Sequence, residues 1–126
     1  MFMKKSKKYV LFMSFAMIIL IPTMAYASAS SYQSTYDMQR SVFSREITAK
    51  SYVSTYICPD VGTNGANMGI VWAKKYWYGW DGDMKTTDST RPGSVTFKLK
   101  SKDTAHIWLR NFTKDRWSGH VTFTWN

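Results

Sequence analysis

Along the C-terminal third of the chain, apolar and polar positions alternate with a period of two. Val95, Phe97 and Leu99 are interleaved with Thr96, Lys98 and Lys100; Ala105, Ile107 and Leu109 with His106, Trp108 and Arg110; Val121, Phe123 and Trp125 with His120, Thr122 and Thr124. Successive side chains of a strand point to opposite faces, so each run predicts a half-buried β-strand. The first two read as a hairpin, and the three together as an antiparallel meander. Upstream, residues 51–58 carry Tyr52, Val53, Thr55, Tyr56 and Ile57, the β-branched and aromatic content of a pleated surface, with Pro59 expected to end the strand. Gly62, Asn64 and Gly65 mark a turn, and residues 69–73 and 75–80 are candidate strands. Asp81-Gly82-Asp83 and Arg91-Pro92-Gly93 bracket a polar loop. Residues 37–49 fit a helix behind an Asp37 cap through Met38 and Val42, or a strand through Ser41, Phe43, Arg45 and Ile47; the strand reading is favoured.

Six to eight short strands without a repeated βα unit predict an all-β domain, a small antiparallel β-sandwich, with a small β-barrel as the alternative. No repeat of the length used by propellers or solenoids is visible.

The N-terminus reads differently. Lys4, Lys5, Lys7 and Lys8 precede an apolar run over residues 10–21, Pro22 breaks that run, and Ala25-Tyr26-Ala27 supplies a small-x-small exit. Residues 1–27 are therefore expected to be a cleaved export signal, or 1–29 if Ala27-Ser28-Ala29 is used. The run of 12 residues is too short for a membrane helix, which needs about 20. No cysteine lies near the exit to carry a lipid. Residues 28–36, polar and Ser-rich, are expected to be a flexible leader, and 37–126 a single domain. The product is expected to be secreted.

Composition sharpens this picture. The 126 residues are 44% hydrophobic and 17% aromatic, which excludes a disordered tail, and they are too few for a multi-domain enzyme. Formal charge is +9, and removal of the four N-terminal lysines leaves 13 cations against 8 carboxylates, a net +5. Cys58 is the only cysteine, so no disulfide forms within one chain; its expected place is an inward-facing strand position, with an intermolecular disulfide or a reactive thiol as the other reading.

Candidate chemistry centres on residues 72–80, where Trp72, Lys74, Lys75, Tyr76, Trp77, Tyr78 and Trp80 put five aromatics and two cations within nine positions. Aromatic faces stack on sugar rings, and neighbouring lysines attract anions. With Lys98 and Lys100 on the basic face of their strand, this predicts a ligand surface for cell-wall glycan or an anionic polymer, with an anionic membrane surface as a further partner. Strand alternation sends part of the cluster into the core, where aromatics dominate burial in small β domains.

Catalytic groups are sparse. His106 and His120 sit on polar strand phases, and Asp81, Asp83 and Asp88 lack the spacing and terminal Glu of an EF-hand. No enzyme activity, cofactor or metal is expected, and no nucleic-acid motif is present. Asn111-Phe112-Thr113 matches a glycosylation acceptor. The function predicted is non-enzymatic binding at or outside the cell envelope. A membrane-active, bacteriocin-like toxin and an inhibitor of a secreted enzyme are the alternatives, and oligomeric state stays open.

Overall fold

The computed structural model describes residues 29–126, so the expected export signal lies outside the described residues apart from Ala29. Among the described residues nine strands follow one another without a helix: β1 (Ser30–Met38), β2 (Ser41–Phe43), β3 (Ile47–Ala49), β4 (Tyr52–Val61), β5 (Asn67–Tyr76), β6 (Gly79–Asp88), β7 (Gly93–Lys98), β8 (Asp103–Arg110) and β9 (Trp117–Trp125). They form two sheets. Sheet one has the order β1-β9-β4-β7, and sheet two the order β2-β8-β5-β6, with β3 also paired to β8. The sheets pack face to face as a sandwich and do not close into a barrel.

Alternation builds the core. Val53 and Ile57 of β4, Val95 and Phe97 of β7, and Trp117, Val121 and Phe123 of β9 face inward from sheet one; Ile47, Met68, Ile70, Trp72, Ala105, Ile107 and Leu109 face them from sheet two. Burial of such side chains contributes roughly 1.5–3 kcal/mol each before chain entropy is subtracted, so this inner layer holds the fold without any disulfide.

Several local expectations change. The Ser-rich stretch expected as a flexible leader is strand β1 from Ser30 onward, because its Tyr32, Tyr36 and Met38 reach the core while the serines stay outside. Pro59 does not end β4: the strand runs to Val61, with a register irregularity between Pro59 and Val61. Pairing with β7 stops at Ile57↔Gly93, so Pro59 falls where β4 keeps only β9 as a neighbour and a missing N–H is tolerated. Most of the expected polar loop is strand, since β6 runs from Gly79 to Asp88 and leaves only residues 89–92 between it and β7. Nor do the last three strands form a meander, since β7 pairs with β4, β8 with β5, and β9 with β4. Consecutive strands pass between the sheets, and β5–β6 is a true hairpin.

The edge of sheet two beside β8 is broken into β2 and β3. At the break the Ser44 N–H donates to the Ile107 carbonyl at 2.8 Å, and Ser44 Oγ accepts from the Ile107 N–H at 2.8 Å, so a side chain completes the ladder. Next to it the Arg45 guanidinium lies 3.9 Å above the Tyr32 ring, and the Arg45 N–H donates to the Tyr32 hydroxyl at 3.1 Å. These contacts tie β1 of one sheet to the kink of the other.

Candidate ligand-binding face

The aromatic run of residues 72–80 is split three ways by its hairpin. Trp72 points inward and is 7% exposed, with its Nε1–H donating to Asp103 Oδ2 at 3.0 Å. Lys74 Nζ meets the other Asp103 oxygen at 2.6 Å. Burial opposes the charge on Asp103, but the bonds from Lys74, Trp72 and the Thr104 N–H outweigh it and hold the carboxyl below its ordinary range. The bond to Asp103 raises the Lys74 pKa in turn. Of the residues expected at the ligand surface, Trp72 is thus turned inward, while Lys74 is ion-paired with Asp103 and partly exposed.

The hairpin tip comes next. Tyr76 pairs with Gly79 across a two-residue turn, and Gly79 has φ 125°, a backbone conformation that side-chain-bearing residues rarely adopt. Tyr76 and Tyr78 stack with centroids 5.3 Å apart and planes 2° apart, while Trp77 stands 96% exposed. The Tyr78 hydroxyl donates to Asp81 Oδ2 at 3.1 Å; desolvation, followed by that bond, keeps its pKa above the usual phenol value.

Lys75 and Trp80 belong to a third environment, the outer face of sheet two. Before Lys75, β5 presents Gly69, Val71 and Ala73 here, a shallow track of small side chains. Rings from β2, β6 and β8 lean across it. Phe43 stacks on Trp108, with centroids 5.2 Å apart and planes at 6°, and packs on Trp80 at 4.7 Å. Trp80 meets His106 edge-on at 5.1 Å. Arg110 extends the row, its guanidinium 4.1 Å from the Trp108 centroid and 4.7 Å from that of Phe112, and Lys75 Nζ lies 5.5 Å from the Trp80 centroid. A Cβ at Gly69 would stand 3.0 Å from both Met84 Sδ and Phe112, so the glycine is what lets these two side chains approach β5. Phe43 and Phe112 are 41% and 59% exposed, so the row is a surface and not a second core. At its Lys75 end the face dips into a cleft of about 240 Å³ over Ala73, walled by Trp80, His106, Lys75 and Glu46.

Lys98 and Lys100 do not join this row. Lys98 ends β7 opposite Tyr52 in sheet one and lines a separate cleft of about 480 Å³ between β6 and β7, with Lys85 and Phe97; Lys100 is exposed beyond it. The expected ligand residues thus fall on the core, the tip, one sheet face and the opposite edge. Phe43, Trp108 and Phe112, which the residue pattern left unassigned, sit at the centre of the aromatic face with His106 and with Arg110, a residue the sequence placed on a basic strand phase with Lys98 and Lys100. The available signal was a tryptophan on the outward phase of β8, between a histidine and an arginine.

Other candidate chemistry resolves locally. Cys58 is half-buried on the outer side of β4, paired in register with His120, and not inward as expected, because Val53, Thr55 and Ile57 occupy the inner phase. His120 Nε2 lies 3.7 Å from Asp60 Oδ2. Among the described residues no three His, Cys, Asp or Glu side chains group to hold a metal ion. Asn111 is 5% exposed; its amide donates to the Asp115 carbonyl at 2.7 Å and its oxygen accepts from Thr113, which leaves the acceptor motif closed as a turn.

No protein-family model matches the sequence, and no curated protein matches it. Among solved structures the chain is similar to a protein of the Bacillus endospore appendages, described as a novel family of disulfide-linked pili, at 18% identity and a TM-score of 0.47 over 76% of this chain and 84% of that one. It is also similar to the Yersinia pseudotuberculosis-derived mitogen, at 14% identity and a TM-score of 0.42 over 79% of this chain and 86% of that one. At these values neither similarity assigns a ligand or a residue role to this chain.

Proposed function

We propose that the protein is an exported, non-enzymatic binding module that holds a glycan polymer of the cell envelope on the outer face of sheet two. The observation that carries this reading is the row Phe112, Arg110, Trp108, Phe43 and Trp80, in which rings and a cation alternate over a track of small residues. Flat apolar faces held in fixed orientation suit the C–H faces of sugar rings, and little side-chain freedom is lost on binding because the rings already brace one another. Export follows from the cationic, apolar and small-residue sequence at the N-terminus.

The test is co-sedimentation of the 28–126 protein with purified cell walls. Retention is expected for the parent and for Lys98→Ala, and a loss of retention for Phe43→Ala and Trp80→Ala with unchanged circular dichroism. Equal retention of all four proteins would overturn the reading.

A second reading rests on the tip, where Trp77 is 96% exposed between Tyr76 and Tyr78 and beside Lys75. Such a tip matches the depth of lipid headgroups. Binding to anionic vesicles that Trp77→Ala abolishes would favour membrane activity; absence of vesicle binding at micromolar protein removes it.

A further inference from the structure

We infer that the polymer bound on the outer face of sheet two is an acidic polysaccharide, gripped through its acid groups at two separated cations, Arg110 and Lys75. This rests on the glycan reading above and adds the ligand's charge and how it is held.

Three of the described lysines and arginines have a carboxylate within ion-pair distance. Lys74 is paired with Asp103 at 2.6 Å and Arg116 with Asp37 at 2.6 Å, and Arg91 lies 3.9 Å from Asp88. On the aromatic face, among the described residues, no carboxylate lies within ion-pair distance of Arg110 or Lys75, and both rest on rings, as Arg45 and Lys85 do singly elsewhere; here the two share one continuous row of rings. Glu46, which lines the cleft with Lys75, is not paired with it. A guanidinium held between Trp108 and Phe112 keeps its planar fork oriented while its N–H groups remain free of internal acids, which is the arrangement that takes a carboxylate or sulfate from outside.

Spacing gives the ligand its length. Arg110 is paired with Gly69 in the β5–β8 register, and Lys75 stands six residues further along β5. At about 3.3 Å per residue their backbone positions are roughly 20 Å apart along the sheet, and the stacked rings of Trp108, Phe43 and Trp80 lie between the two cations. A single acidic sugar cannot reach both. A chain of several sugars can lay its rings on the aromatics and an acid group at each end. A non-sugar polyanion would satisfy the cations and leave the rings unused.

The experiment compares three probes on the 28–126 protein by calorimetry: long oligogalacturonate, the same oligomer fully methyl-esterified, and polyphosphate. Oligogalacturonate is expected to bind, with a shorter digalacturonate far weaker. Arg110→Ala and Lys75→Ala should each weaken binding by about tenfold or more, and Lys98→Ala should leave it unchanged. Arg110→Lys, which keeps the charge and loses the planar fork, should lie between parent and Arg110→Ala. Equal binding of the methyl ester would overturn the acidic ligand while leaving a glycan ligand standing. Equal binding of polyphosphate, or equal loss with Lys98→Ala, would reduce the site to unspecific charge and overturn the inference. If no probe binds but cell walls still retain the protein through Phe43 and Trp80, this inference fails and the glycan reading survives; if walls are not retained either, both fail.

Discussion

Phe43 lies parallel to Trp108 across the β2–β8 pair, the two residues directly opposite in register and their planes 6° apart. A three-residue strand, β2, is thereby anchored on its outer side by one stacked ring. Phe43→Ala should lower stability by only about 1 kcal/mol, because the ring is partly exposed and an aromatic pair adds roughly 0.5–1.5 kcal/mol beyond its burial. Its effect on ligand retention should be far larger than its effect on a thermal melt. A Phe43→Ala protein that loses both together would show the ring to be structural only.

Thr55 is fully buried in β4, and its hydroxyl has no partner within the fold. Thr55→Val keeps the shape and removes the unpaired oxygen, so stability should rise by about 1 kcal/mol. Urea unfolding of the two proteins, at an unchanged slope, checks this. A lower midpoint in the valine variant would mean that the hydroxyl is satisfied in solution.

Trp117, the largest fully buried side chain, donates its Nε1–H to Thr63 Oγ1 at 2.7 Å, and that hydroxyl donates on to Asp115 Oδ2 at 2.8 Å. Thr63→Val leaves a buried donor without an acceptor, which costs roughly 1–3 kcal/mol. The expected result is a lower unfolding midpoint with a red-edge change in tryptophan fluorescence; a midpoint equal to the parent's would remove this bond from the account of stability.

Gly119 sits where a Cβ would stand 2.6 Å from both the Cys58 carbonyl and the Tyr36 hydroxyl. Tyr36 is itself 2% exposed, and burial, with the nearby Asp60 charge, raises its pKa. Gly119→Ala should destabilise the protein by about 1–3 kcal/mol, on the scale of overpacking with backbone displacement. Combining it with Tyr36→Phe should recover only a small part, because the carbonyl contact remains.

Acid should loosen the fold in a defined window. The side-chain bond from Arg116 lowers the Asp37 pKa, and the Thr90 hydroxyl and N–H lower that of Asp88; Asp103 is also lowered, its bonds to Lys74 and Trp72 overcoming the opposing effect of burial. For a carboxyl with a depressed folded-state pKa, the stabilisation is present above the unfolded value of about 4 and is lost as pH falls through the folded value. Stability should therefore be level from neutral pH down to about 5 and decline below about 4. Asp103→Asn should flatten part of that decline. A profile that instead rises on acidification would contradict the assignment.

What the sequence disclosed was facing, and what it withheld was neighbourhood. Val95, Phe97, Ile107, Leu109, Val121 and Phe123 are all buried as their alternation requires. The same alternation is silent about which sheet a strand joins, since both sheets bury their inner phase against the same core; hence β7, β8 and β9 read as a meander but alternate between sheets. Trp117 is buried without any signal in the pattern, because its neighbours Arg116 and Ser118 are hydrophilic and one buried ring makes no period. The binding face was harder still. Lys75 and Trp80 were visible as a local cluster, whereas Phe43, Trp108 and Arg110 come to them from other strands, and only the registers Phe43↔Trp108 and Val71↔Trp108 bring the rings over one track.

The position of β9 has a consequence for how the chain can assemble. It is the ninth strand in sequence, yet it lies between β1 and β4. A chain emerging from its N-terminus, from a ribosome or through a translocation pore, has its first strand waiting without a neighbour in sheet one until β9 follows. The β5–β6 hairpin can close early, since its partners are adjacent in sequence, while sheet one depends on distant closures that are slow for entropic reasons. Sheet one is thus completed only by the last strand of the chain, whereas every strand of sheet two is present once β8 has been made.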